Sequence, residues 1–283
     1  MAGNRRRGDR DRALAQNRAR DRARPLLIGN SLYQLDETTG RVQFEATRTL
    51  DAMLDHNAFF QRLPYAHRYD LAATFQRRIY PRKDPLRGSA SAMVHVVLSG
   101  CVVESASYGE TSTVRILGAG SVLGDLEVFD ETLPTPTARC LNTTTTMSLP
   151  MERMRLLAEN NSVFSAALGT AVTDRLVTSE RVYNRVGLRP EERLAGLFTH
   201  LLSICAVPCP AFGRMLEGPS QTDLAEALNL SRATVESALR LLRRENLVVT
   251  GYRTFQFPSE AALAGFGKVR IPAQRVTGEA SHR

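Results

Sequence analysis

Residues 218–257, GPSQTDLAEALNLSRATVESALRLLRRENLVVTGYRTFQF, hold two short amphipathic patterns joined by a break and followed by two apolar runs. Leu224, Ala227 and Leu228 recur at spacings of three and four, as do Val235, Ala238, Leu239 and Leu242 beyond Asn229-Leu230-Ser231. Such spacing puts each set on one side of a helix. Ser220 with Asp223 three residues on resembles a capping box, and the Ser231 hydroxyl can cap the second helix. With the apolar faces packed together, the second helix turns Arg232, Ala233, Glu236, Ser237 and Arg240 outward, with Arg243 and Arg244 near its end. Leu247-Val248-Val249 and Thr254-Phe255-Gln256-Phe257 read as strands about Gly251, where a tight turn can use positive φ, so a wing follows the helices. A helix-turn-helix of this kind places the N-terminal part of its second helix in the major groove of double-stranded DNA. Arg232 is then the first candidate for a bidentate contact to guanine, and Glu236 can accept from cytosine. A small helical bundle with a charged outer face has the same two-helix pattern, and the wing is what separates the two readings.

The phrase SRATVESALRLLRRENLV resembles the recognition helix of the CRP/FNR superfamily of bacterial transcription factors. That family usually carries Ser-Arg-x-Thr-Val here, matched by Ser231, Arg232, Thr234 and Val235; Ala233 stands where Glu is frequent, and Ser237 near a frequent Arg. These departures predict a different base preference with the same docking mode. Ser220 and Gln221 at the start of the first helix and Arg253 in the wing complete the DNA-facing set, with Arg232, Thr234, Glu236, Ser237, Arg240, Ser231 and Arg243.

Residues from about 78 to 150 alternate short apolar runs with turn residues, the pattern of a β-barrel or roll. Within them VVLSGCV (96–102) and LGAGSVLGDLEVF (117–129) resemble the cyclic-nucleotide-binding β-roll of the same superfamily, and FFQRLP its helical lead-in. The resemblance implies an effector pocket at Gly124, Asp125, Thr137, Thr178 and Ser179, with the last two contacting an adenine. Asp125, however, replaces the ribose-binding Glu, and Pro136 stands where the phosphate-binding Arg belongs, with Arg139 three residues too late. A buried phosphate without its arginine loses a charge-assisted pair, which costs several kcal/mol. No motif demands a cofactor; a cyclic nucleotide is the ligand the resemblance implies, and these departures favour a ligand-free roll or another effector.

From Ser162 to Val186 an apolar stripe runs longer than one domain face needs. Part of it suits a parallel coiled coil between two copies, and the resemblance implies a homodimer interface through Phe164, Leu168, Val172, Leu176 and Tyr183. Leu188-Arg189-Pro190 marks a hinge, and Pro190 with Glu191 and Glu192 starts the next helix.

The net charge of +8 is unevenly spread. Residues 4–24 hold nine arginines against three aspartates, a surplus of six, whereas residues 188–257 hold eight arginines against seven acids. DNA recognition would therefore rest on a few placed charges. The cysteines Cys101, Cys140, Cys205 and Cys209 lack companion ligands at metal-binding spacing, as do His56 and His67, so buried reduced thiols are expected and no metal site. No nucleophile-base-orienter order, P-loop or H-E-x-x-H occurs, so no enzyme is expected. Neither a signal peptide nor a run of about twenty apolar residues is visible, which predicts a cytoplasmic protein without membrane association.

The expected architecture is α+β. It has a disordered Arg-rich tail (1–30), a jelly-roll-like β-roll with a helical lead-in (31–157), a long dimerisation helix (158–187), a C-terminal winged helix-turn-helix (188–257) and a flexible tail (258–283). The function it predicts is a homodimeric transcription factor reading a two-fold symmetric operator, with RNA polymerase as the partner the resemblance implies. Two alternatives remain: a regulator switched by cyclic AMP or a related ligand, and a non-DNA interaction protein that uses the helix-turn-helix as a scaffold.

Overall fold

The computed structural model describes residues 23–28, 31–36, 42–43, 54–88 and 92–269. Strands β1 (Ala23–Ile28), β2 (Ser31–Asp36) and β3 (Val42–Gln43) pair antiparallel in that order. Residues 1–22 of the expected tail lie outside the described residues, and its last part pairs with β2 from Ala23↔Asp36 to Ile28↔Ser31 instead of forming disordered chain.

A 3-10 turn at Phe60–Arg62 and helix α1 (Tyr65–Ala72) lead into the roll. Its strands are β4 (Gln76–Tyr80), β5 (Pro85–Arg87), β6 (Met93–Ser99), β7 (Val102–Tyr108), β8 (Thr111–Leu117), β9 (Val122–Leu123), β10 (Thr137–Cys140) and β11 (Thr144–Pro150). They form two antiparallel sheets, ordered β5-β10-β7-β8 and β4-β11-β6-β9, with helix α2 (Asp125–Phe129) between β9 and β10. Leu86, Val97, Val102, Leu123, Ala138 and Cys140 cluster in the roll. Strand β10 alternates exposed and buried residues, whereas β6 and β11 are buried on both faces, their Val94, Val96, Leu98 and Met147 joining a second core with the lead-in and the helix Ser162–Thr178.

Helix α3 (Met151–Asn160) and helix α4 (Ser162–Thr178) follow, α4 being capped by the Asn161 side chain, which accepts from the Phe164 N–H. Phe164 and Leu168 are fully buried against the lead-in, Phe59 meeting Phe164 edge to face at 5.9 Å. The helix expected to run to Val186 changes after Thr178 into a π-helical turn, Ser179–Tyr183. At this turn the Tyr183 hydroxyl donates to the Ile116 carbonyl at 3.0 Å and accepts from its N–H at 3.2 Å, drawing the helix end onto β8. Phe164, Leu168 and Tyr183, expected in a dimer interface, therefore belong to the core of the chain itself. Of that set Leu176 is exposed (63%) and Val172 half-buried, and Val177 beside them is exposed (38%).

Helix α5 (Pro190–Ile204) starts with Pro190 in its first turn, and the Glu192 carboxylate accepts from the Arg189 N–H at 3.0 Å. A hairpin that the sequence pattern did not signal, β12 (Ala206–Cys209) and β13 (Gly213–Glu217), comes next. Then follow α6 (Gln221–Leu228), α7 (Arg232–Arg244), β14 (Val249–Gly251) and β15 (Thr254–Gln256), the four strands being ordered β12-β13-β15-β14. The prolines flanking Cys209 hide the strand signal of β12, which is tolerable because β12 is an edge. The four cysteines are buried and free.

Helix α8 (Glu260–Phe266) corrects the expectation of a flexible C-terminal tail: Ser259 caps it, Leu263 is fully buried, and the Arg214 Nε donates to Glu260 at 2.7 Å. Residues 270–283 lie outside the described residues.

The roll and the C-terminal domain share one core, in which Cys101, Val103, Ile116 and Leu141 pack with residues such as Leu194, Phe198, Leu224 and Leu228. Backbones nearly touch there: a Cβ on Gly118 would lie 2.3 Å from the Ile204 carbonyl oxygen, so only glycine fits. Among the described residues no helix is long and apolar enough to cross a membrane.

Candidate nucleic-acid interface and roll interior

The start of α6 is built as the sequence predicts. The Ser220 Oγ accepts from the Asp223 N–H at 3.2 Å, while an Asp223 oxygen accepts from the Ser220 N–H at 2.7 Å. Burial opposes the charge of Asp223, but hydrogen bonds from Ser220 and the Arg139 guanidinium outweigh it and hold the carboxyl below its usual range. Asn229 ends the helix in the left-handed region (φ 50), a conformation asparagine tolerates. Ser231 then caps α7, accepting from the Thr234 N–H at 3.0 Å with its hydroxyl 2.8 Å from the Thr234 hydroxyl.

Helix α7 buries Val235, Ala238, Leu239 and Leu242 and exposes Arg232, Ala233, Glu236, Ser237 and Arg240 along one outward face. Arg240 reaches Ser237 Oγ at 2.8 Å and Glu236 at 3.5 Å; Arg243 reaches the Thr250 hydroxyl at 3.3 Å. These contacts are exposed and weak, so the guanidiniums can exchange them for a ligand at small cost.

The wing differs from expectation. Gly251 pairs with Thr254 across the turn, and it is Arg253 that takes positive φ (55). The Arg253 Nε donates to the Gly218 carbonyl at 3.0 Å, and its Nη2 lies 3.5 Å from Asp223. Arg253 and Ser220, expected among the DNA-facing residues, thus form the frame of the helix-turn-helix, and Thr234 completes a cap. Gln221 is half-buried in the first turn of α6. Tyr252, which the sequence reading did not select, stands 86% exposed at the wing tip. An exposed aromatic in a two-residue turn is the signal that was available.

Inside the roll the expected effector residues meet charges from distant parts of the chain. Gly124 has φ 91, and a Cβ there would lie 3.3 Å from the Arg87 guanidinium, whose Nη2 pairs with Glu127 at 2.8 Å. Arg175 of α4 pairs with both Asp125 and Glu104. Burial pushes the Asp125 carboxyl up to about 6, with Arg175 opposing and Glu104 reinforcing the rise. Arg115 donates to the buried Ser179 Oγ at 3.0 Å. Thr178 shares a cavity with Asp125, whereas Thr137 is exposed, 3.4 Å from the Ser105 carbonyl. The five effector candidates are therefore not gathered around one open space. Arg87, Glu104, Arg115, Glu127 and Arg175 escaped sequence reading because they lie on separate strands and helices, without local spacing.

No family model matches this sequence, and no curated protein does. Solved structures do match. The c-di-GMP responsive global regulator CLP of Xanthomonas campestris is 20% identical, with 69% of this chain and 100% of that chain covered at a TM-score of 0.54. FixK2 of Bradyrhizobium japonicum is 18% identical, covering 68% and 96% at 0.52. A transcriptional regulator of the CRP/FNR family from Thermus thermophilus is 19% identical, covering 69% and 100% at 0.52.

Proposed function

Because the chain has the fold of the CRP/FNR transcriptional regulators, we propose that it is itself a transcription regulator that reads double-stranded DNA through α7. The observation carrying this reading is the outward face of α7, where Arg232, Glu236, Ser237 and Arg240 stand exposed beyond a capped N-terminus with the wing alongside. That face has the side chains for direct readout and the geometry to enter a major groove. The near-neutral charge of this domain makes binding depend on these few groups, with Arg243 and Arg244 serving phosphates.

The functional unit in this reading is a homodimer. Leu176 and Val177 are exposed apolar side chains on α4, and pairing them with a second copy removes them from water. A two-fold pair presents two α7 helices to a two-fold operator, with contact to RNA polymerase as the output that the sequence resemblance implies. The roll in this reading works without a cyclic nucleotide: the Arg175 guanidinium is held by Glu104 and Asp125, and that of Arg87 by Glu127, so carboxylates of the chain already neutralise these arginines. Displacing them would leave buried charges unpaired.

The test is operator binding with fragments selected from a genomic DNA pool. Arg232→Ala and Arg240→Ala should each weaken specific binding by about tenfold to a hundredfold, roughly 1–3 kcal/mol, with unchanged unfolding midpoints. Unaltered binding in both variants would reject α7 as the reader and leave the helix-turn-helix as a scaffold.

A further inference from the structure

The linker between the π-helical turn and α5, residues 184–189, has little of its own to stiffen it. Val186 is 82% exposed, a Cβ on Gly187 would meet nothing within 4 Å, and the Leu188 N–H closes a short turn onto the Arg185 carbonyl at 3.1 Å. Such a segment bends at small cost. Beyond it α5 is fastened to the roll at its far end, where the Ala119 N–H donates to the Ile204 carbonyl at 2.8 Å. The apolar core alongside is non-directional and permits packed helices to slide. One fixed end therefore allows α5 to pivot, and a second fixed point sets its angle.

Arg185 supplies that second point. Its Nη1 donates to the Gly267 carbonyl at 2.6 Å and its Nη2 to the Lys268 carbonyl at 3.0 Å. Both carbonyls lie just past the end of α8, where a helix has no donors of its own to offer and a guanidinium fork meets partial negative charge. Helix α8 packs along α5 so closely that a Cβ on Gly267 would lie 2.6 Å from the Gly196 nitrogen. Lys268 Nζ lies 2.9 Å from Glu192 in the first turn of α5, and with the Arg189 N–H and guanidinium it holds that carboxyl well below its usual range. The Arg185 side chain thus spans from the linker to a helix that belongs to the DNA-reading domain.

We propose that Arg185 is a positioning residue for DNA recognition: its clasp on the end of α8 sets the angle of α5 against the roll, and through it the separation of the two half-sites that a dimer reads at once. The sequence of each half-site is read by α7 itself, whereas their separation depends on where the two α7 helices stand. With the clasp open, only a fraction of dimers fits any one separation, and apparent affinity falls by that fraction. This role rests on the homodimeric DNA-reading proposal; the clasp itself does not.

The experiment compares the full chain with Arg185→Gln in binding to duplexes that carry the selected half-site twice at different separations, beside hydrogen exchange on the free protein. The parent chain should bind one separation best, about 10 base pairs centre to centre or a multiple of it. Arg185→Gln should bind that duplex about tenfold more weakly, accept neighbouring separations nearly as well, and keep the half-site sequence. Amide exchange should rise at residues 186–188 and 267–269 and stay unchanged in α6 and α7. Arg185→Lys, which keeps the charge but not the fork, should fall between the two, and it serves in place of the glutamine variant if that one does not fold. Arg181→Gln, exposed on the preceding turn, should match the parent. Unchanged separation preference in the Arg185 variants, exchange that rises throughout the reader, or a relaxed half-site sequence would each overturn the proposal. If the parent selects no duplex, the DNA-reading proposal falls and the positioning role with it, whereas unchanged local exchange rejects the clasp alone.

Discussion

Arg139 of β10 and Asp223 of α6 form an ion pair at 2.5 Å that ties the roll to the first helix of the helix-turn-helix. The carboxylate is almost fully buried and also completes the capping box, while the arginine is 46% exposed. The two partners should therefore respond unequally to removal. Asp223→Ala should cost about 3 kcal/mol, because it strips a cap and leaves Arg253 and the Ser220 N–H without their acceptor. Arg139→Ala should cost at most about 1 kcal/mol, since solvent already screens it and Ser220 and Arg253 still face the carboxylate. Its mark should instead be faster amide exchange at residues 220–224, read by hydrogen exchange. Equal destabilisation by the two variants would contradict this account.

Arg175 holds two buried carboxylates, Glu104 and Asp125. Arg175→Ala should destabilise the chain by about 3–5 kcal/mol, because both acids stay buried without a counter-charge. Replacing all three together, by Arg175→Met, Glu104→Gln and Asp125→Asn, should recover most of that loss. Denaturant unfolding of the single and triple variants checks the difference.

His95 is buried beside Ser148, 2.8 Å from its hydroxyl, and burial together with Arg87 and Arg78 lowers its pKa to about 4. The unfolded chain titrates this histidine near its ordinary 6.5. As pH falls below 6.5 the unfolded state takes up a proton that the native state refuses, so stability present above 6.5 is lost progressively down to about 4. The full loss is about 3 kcal/mol. Buried His200 is lowered to about 4 as well, so denaturation at pH 7 and pH 5 should show the drop and His95→Gln should remove its own share of it while that of His200 remains.

Arg243 and Arg244 lie in the last turn of α7, beyond the face proposed to read bases. Arg243→Ala should weaken DNA binding about equally for operator and unrelated sequence and reduce the salt slope by about one. A selective loss on the operator alone would move Arg243 into direct readout.

The helix-turn-helix was legible in the amino-acid string because its determinants act over three or four residues. The Ser220–Asp223 box, the Ser231 cap and the two apolar stripes each lie within a few turns of chain, and they appear in the structure at those residues. Composition and turn chemistry likewise sufficed for the alternating strands of the roll. The wing turn was misassigned to Gly251 because Arg253 is held at positive φ by its bond to the distant Gly218 carbonyl. Three of the five dimer candidates were misread because an apolar stripe has the same spacing whether it faces a partner or the core of its own chain. The roll interior was decided by tertiary structure alone. Arg175 meets residues 50 and 71 positions away, and Arg139 meets one 84 positions away. No local pattern encodes such pairs; only closing the sheets and seating α4 and α6 against them brings the charges within reach.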